Sequence, residues 1–178
     1  MRRNRKTAAL ALCGVLAALA TALMFLGGAL PFAAIACPVL ASLVLLPVYF
    51  EAGKKWSVLW YLTVAVLGLL LAPEKEAAVL FVFFGYYPML HKLLGHLPGR
   101  RLKWLIKLLY VNVAVLAAYG LMLYVFPIAS LTEEFATMQQ WFVAVLLVLA
   151  NVSFVLYDIL IDRLEVFYHV RLRPKLKL

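Results

Sequence analysis

The sequence predicts an all-α fold: a polytopic membrane protein built as a six-helix transmembrane bundle, with both termini in the cytoplasm. Three observations carry this reading. Hydrophobic residues make up 67% of the 178 residues and charged residues 14%, with a mean hydropathy of +1.00, far from the balance of soluble domains. Apolar runs of ~20 residues recur, each long enough to cross a hydrocarbon core of ~30 Å; they lack the period of two that a barrel strand would need. The basic residues fall almost entirely on one set of span ends.

Six spans are expected, at about 8–27, 31–50, 56–72, 76–95, 104–126 and 138–161, forming one integral membrane domain over residues 1–178. Arg2, Arg3, Arg5 and Lys6 precede the first; Lys54 and Lys55 follow the second. Lys92, Arg100, Arg101, Lys103 and Lys107 surround the fourth loop, and Arg163, Arg171, Arg173, Lys175 and Lys177 follow the sixth. Only Lys75 lies opposite, so the positive-inside rule places both termini in the cytoplasm of a multi-pass cell-membrane protein. The net charge of +9 is therefore a topology signal. Its spread over four membrane-edge segments argues against a nucleic-acid partner and for contact with anionic lipid of the bilayer.

Taken in order, Met1–Lys6 and the apolar run after it look like a signal peptide, with Ala34-Ile35-Ala36-Cys37 as a lipoprotein-type cleavage box. The run exceeds the ~7–15 residues of a signal core, so it is expected to remain as the first span. Cys13 and Cys37 lie in or beside spans and suggest packing rather than a disulfide framework. Span one carries small residues spaced by three or four: Thr7, Ala11, Gly14, Ala18 and Ala22. Such a stripe lets another helix approach backbone to backbone. It fits either an internal seam or a docking face for another subunit.

Span two contains Pro31, Pro38 and Pro47, and each interior proline removes a donor and bends the helix. Trp56, Trp60 and Tyr61 suit an interfacial belt for span three. Pro73-Glu74-Lys75-Glu76 turns the chain at the outer face, and Gly85 and Pro88 are expected to kink span four. On that helix Glu76, Leu80, Phe83, Tyr87 and His91 share one face. Gly95–Lys107 reads as amphipathic and suited to lie along the inner interface. Pro127–Gln140 is the longest non-apolar stretch.

Span six has the clearest polar stripe: Gln140, Asn151, Asp158, Asp162 and His169 on one face, with Glu165 beside it. At ~1.5 Å per residue Asn151 reaches mid-membrane, while Asp158 and Asp162 lie toward the inner edge. Ionisable groups there face a protein interior or a pathway. Asp158 is expected to meet Lys107 or Asn112 of span five as a structural polar contact.

No catalytic constellation is present. His91, His96 and His169 are scattered, and there is no HExxH, no cysteine pair and no glycine-rich phosphate loop. No enzyme activity, metal or cofactor is expected.

The opening Arg5-Lys-Thr-Ala-Ala-Leu-Ala-Leu-Cys-Gly-Val-Leu-Ala-Ala-Leu-Ala20 resembles the first helix of the substrate-binding S components of energy-coupling factor transporters. Those are bacterial six-helix proteins of about this length. Gly14, Ala18 and Ala22 match the small residues by which that helix docks on a transmembrane coupling subunit. The motif covers residues 5–22, while span count and topology extend over the chain. The first outer loop, Gly27–Pro31, is shorter than the gating loop of many S components. The resemblance implies uptake of a small nutrient together with a coupling subunit and ATPases. By position it implies a substrate site at Glu76, Phe83, Tyr87, Tyr119, Gln140 and Asn151. Aromatics and amides together suit a vitamin-like or heterocyclic ligand. The alternative is a non-transporting structural or assembly subunit of a membrane complex.

Overall fold

The computed structural model describes residues 2–29, 33, 35–95, 97–124 and 140–176. Among them every regular element is helical: α1 (Arg2–Ala29), α2 (Ala36–Leu43), α3 (Leu45–Ala52), α4 (Lys54–Leu71), α5 (Lys75–Phe84), α6 (Tyr87–Gly95), α7 (Arg100–Tyr124), α8 (Gln140–Phe167), a π-helical turn (Tyr168–Leu172) and α9 (Arg173–Leu176). Five stretches are long and apolar enough to cross a membrane: Thr7–Gly27, Lys54–Leu71, Lys75–Gly95, Arg100–Met122 and Ala144–Leu172. They overlap five of the six expected spans. The remaining one corresponds to α2 and α3, two eight-residue helices joined at Val44. End to end these rise about 25 Å, short of a ~30 Å core.

Two boundaries differ from expectation. Arg100–Lys107 is not a separate interfacial helix but the first part of α7. The last apolar stretch runs to Leu172, so Asp158 and Asp162 lie inside it rather than at its edge. Residues 125–139, which hold most of the expected outer loop with Glu133, Glu134 and Gln139, lie outside the described residues. So do Pro31, Ala34 and His96.

The chain divides into two compact units, residues 1–93 with 161–178, and residues 94–160. In the first, α1 packs on α2, α3 and α4, while α5 packs on α2 and α4. Its core joins Ala20 and Met24 of α1, Ala41, Leu45 and Val48, Trp60 and Val64, and Phe81 and Met89. Small residues make close approach feasible. A Cβ on Gly68 would collide with the Met24 thioether, and one on Gly27 would lie 2.9 Å from Cys37 Cβ. Polar tips spend their bonds inside this unit. The Trp60 indole N–H donates to Cys13 O at 3.1 Å, the Tyr61 hydroxyl donates to Val82 O at 2.5 Å, and Lys75 Nζ caps α4 through Leu69 O and Ala72 O at 2.9 and 3.3 Å.

In the second unit, α7 follows Gly99, whose φ of 94° favours glycine. Val111, Ala114, Ala118 and Met122 form the buried stripe of α7; Phe154, Tyr157 and Asp158 are buried on α8. The outward side chains of the long helices are apolar, among them Leu19, Leu62, Leu70, Leu109, Leu116, Val148 and Leu156. An apolar exterior over a core rich in alanine suits contact with a bilayer.

Candidate functional site

The small-residue stripe of α1 lies on its outer surface. Ala11, Gly14, Ala18 and Ala22 are exposed, whereas Ala20 and Met24 are wholly buried. The face that α1 turns to the core is formed by Cys13, Leu16, Ala17, Ala20 and Met24. A Cβ added at Gly14 would meet nothing within 4 Å. Of the two readings of this stripe, an internal seam does not match these exposures. Beside it runs an open apolar groove lined by Ala18, Thr21, Ala22, Phe25, Leu67 and Leu71. Thr21 has its hydroxyl tied back to Ala17 O at 2.9 Å, which leaves the groove apolar.

The α7–α8 unit holds two polar clasps. Lys107 Nζ lies 2.8 and 2.7 Å from the two carboxylate oxygens of Asp158, and both side chains are nearly buried. Asn112 and Asn151 exchange amide hydrogen bonds of 3.1 Å in each direction. Each amide gives its second N–H to its own helix, Asn112 to Leu108 O and Asn151 to Leu147 O, both at 2.8 Å. Of the two partners expected for Asp158, Lys107 is the one it meets, while Asn112 pairs with Asn151.

The other expected ligand residues divide between the units. Glu76 lies half-buried in the first turn of α5 and Phe83 half-buried near its end; Tyr87 opens α6 and is wholly buried. The Tyr87 ring meets His91 edge-on at 6.1 Å. In the second unit Tyr119 is half-buried on α7, and Gln140 is the first residue of α8.

A third polar group, in the first unit, was not assembled by sequence reasoning. His91 Nε2 lies 3.0 Å from Asp162 Oδ1, and Lys92 pairs with Glu165. The Tyr168 hydroxyl donates to Glu51 at 3.1 Å. The spacing of Asp162, Glu165 and His169 placed them on or beside one helical face. Nothing local in the sequence pointed to α3 and α6 as their partners. Among the described residues, no three or more His, Cys, Asp or Glu side chains gather as a metal site would require.

Among the described residues, these features define an all-helical protein with five helices able to cross a membrane by length and composition, with Lys107–Asp158, Asn112–Asn151 and His91–Asp162 paired between helices. Comparison with protein-family models, curated proteins and solved structures found no match.

Proposed function

We propose that the chain is a six-span subunit of a bacterial membrane complex, with both termini cytoplasmic, that docks on a partner through α1. Within that class we read it as a substrate-capture subunit for a small vitamin-like or heterocyclic nutrient, working with separate coupling and ATPase subunits. The observation that carries the docking is the outward position of Gly14, Ala18 and Ala22 beside an apolar groove. In lipid no hydrophobic drive brings helices together, so close packing of small residues must supply the association.

The test is Ala18→Trp. An indole at exposed Ala18 would lie over the open groove rather than enter the core, but it blocks close approach by another helix. Co-purification of partner proteins from native membranes should be lost while the melting temperature stays within a degree or two of wild type, because surface changes usually fall within ~0.5 kcal/mol. Retained co-purification, or a collapse in melting, would remove the docking role.

A second reading, a non-transporting assembly subunit, draws on the state of two expected ligand residues. The amide of Asn151 is fully engaged, and Tyr87 is 0% exposed. Mass spectrometry of small molecules retained by the purified protein separates the two. Capture predicts a bound heterocycle that Phe83→Ala releases; an assembly subunit retains partners and no such ligand.

A further inference from the structure

The end of the last apolar stretch carries a clasp that neither docking nor capture uses. Pro174 has no N–H and its ring crowds the carbonyl four residues back, at Val170. The helix widens there into the π turn Tyr168–Leu172, and the Arg173 N–H reaches Tyr168 O instead. Turns of this kind are local and often sit at functional positions. The turn sets Tyr168 and His169 against Phe50 of α3, with ring centroids 5.4 and 4.5 Å away.

Next to Phe50, the Glu51 carboxylate is 11% exposed and lies 3.4 Å from Arg173 Nε, besides accepting the Tyr168 hydroxyl at 3.1 Å. Arg173 is 55% exposed, and Arg171 is exposed as well. The clasp therefore has a buried acidic half and a half-solvated basic half. A solvated ion pair of this kind is weak. Arg171 and Arg173 stand at the end of the last apolar stretch, Ala144–Leu172, and the basic asymmetry assigns that end to the membrane edge, where lipid headgroups lie. A phosphate offers a guanidinium a bidentate partner, and an anionic leaflet attracts each basic residue near its surface.

We propose that Tyr168–Pro174 is a strap with two resting places. One is closed on Glu51, as seen here; the other is open, with Arg171 and Arg173 on the phosphates of anionic lipid headgroups. Glu51 and the lipid compete for the same guanidinium, so the leaflet's charge sets the position of the C-terminal segment.

The test uses the full chain without Cys13 and Cys37, spin-labelled at Lys55→Cys and Leu172→Cys and reconstituted in vesicles. In phosphatidylcholine one short distance is expected. Added phosphatidylglycerol should raise the ratio of long to short distances about tenfold, the size of losing one hydrogen bond to a charged group. Glu51→Ala, which takes the acceptor away from both Tyr168 and Arg173, should show the long distance already in phosphatidylcholine. Arg171→Gln with Arg173→Gln should stay short in both lipids, since Tyr168 keeps its bond to Glu51. Inorganic phosphate added to phosphatidylcholine vesicles should leave the short distance in place; an equal shift there would overturn the lipid assignment. Identical distributions in the two lipids, or a lipid shift that survives loss of both arginines, would overturn the strap.

Discussion

Lys107 and Asp158 form a buried pair whose worth depends on which member is removed. Asp158 is 3% exposed, so Lys107→Met leaves a carboxylate in a low-dielectric site with its ammonium gone. A cost of about 3 kcal/mol is expected. Asp158→Asn is milder, because a neutral amide still accepts from the ammonium, and a loss of about 1 kcal/mol is expected. Removing both charges with Lys107→Met and Asp158→Leu should recover most of the loss, since no buried charge is left behind. Unfolding in a denaturing-detergent titration measures all three. If Lys107→Met costs no more than the double change, the pair is not load-sharing between α7 and α8. The Asn112–Asn151 exchange belongs to a weaker class, averaging ~0.6 kcal/mol for interhelical polar contacts in membranes. Two clasps of unequal strength thus tie the same pair of helices.

The prolines explain where helices break. Pro47 lies four residues after Leu43, the last residue of α2; Pro88 lies four after Phe84, the last of α5. In both cases the ring crowds the carbonyl at that spacing and the donor it would need is missing, so the helix restarts beyond the break. Pro174 does the same to Val170, and the π turn is the result. Pro38 breaks nothing because it sits in the first turn of α2, where its N–H would have no helical partner. At the α5–α6 break, a Cβ on Gly85 would lie 2.5 Å from the Phe81 carbonyl oxygen and 2.9 and 3.0 Å from the ring of Phe81, which is itself wholly buried. Gly85→Ala gains about 0.5–1 kcal/mol from reduced chain entropy and loses about 1–3 kcal/mol to overpacking. Net destabilisation near 1 kcal/mol is expected. An unchanged or raised melting temperature would show that the backbone at the break and the Phe81 ring both yield.

For the molecule as a whole, the basic asymmetry is the strongest topological statement. Single cysteines at Thr132 and Lys177, in a chain lacking Cys13 and Cys37, should be labelled by an impermeant reagent from opposite sides of the membrane. Labelling of both from one side would remove the six-span arrangement. The short α2–α3 segment is where that arrangement is most exposed to failure. With about 25 Å of helix it reaches across only if the bilayer thins or flanking residues snorkel.

The sequence by itself determined the all-helical class and, in outline, five of the six expected spans, because a hydrocarbon core demands long apolar runs and permits no unsatisfied backbone. It also marked the breaks at Pro47 and Pro88, since an interior proline acts on a carbonyl four residues away, whereas the bend expected at Pro38 is absent because that residue lies in the first turn of α2. The Lys107–Asp158 contact was legible for a related reason: in antiparallel spans, a residue near the start of α7 and one near the end of α8 fall at similar depths. Periodicity could place Gly14, Ala18 and Ala22 on one face of α1, but not say whether that face looked inward. Only the packing of α1 on α2, α3 and α4 turned the stripe outward. Tertiary structure alone joined Glu51 to Tyr168 and His91 to Asp162. Such contacts depend on how helices distant along the chain are rotated and stacked, and a helical period carries no information about that.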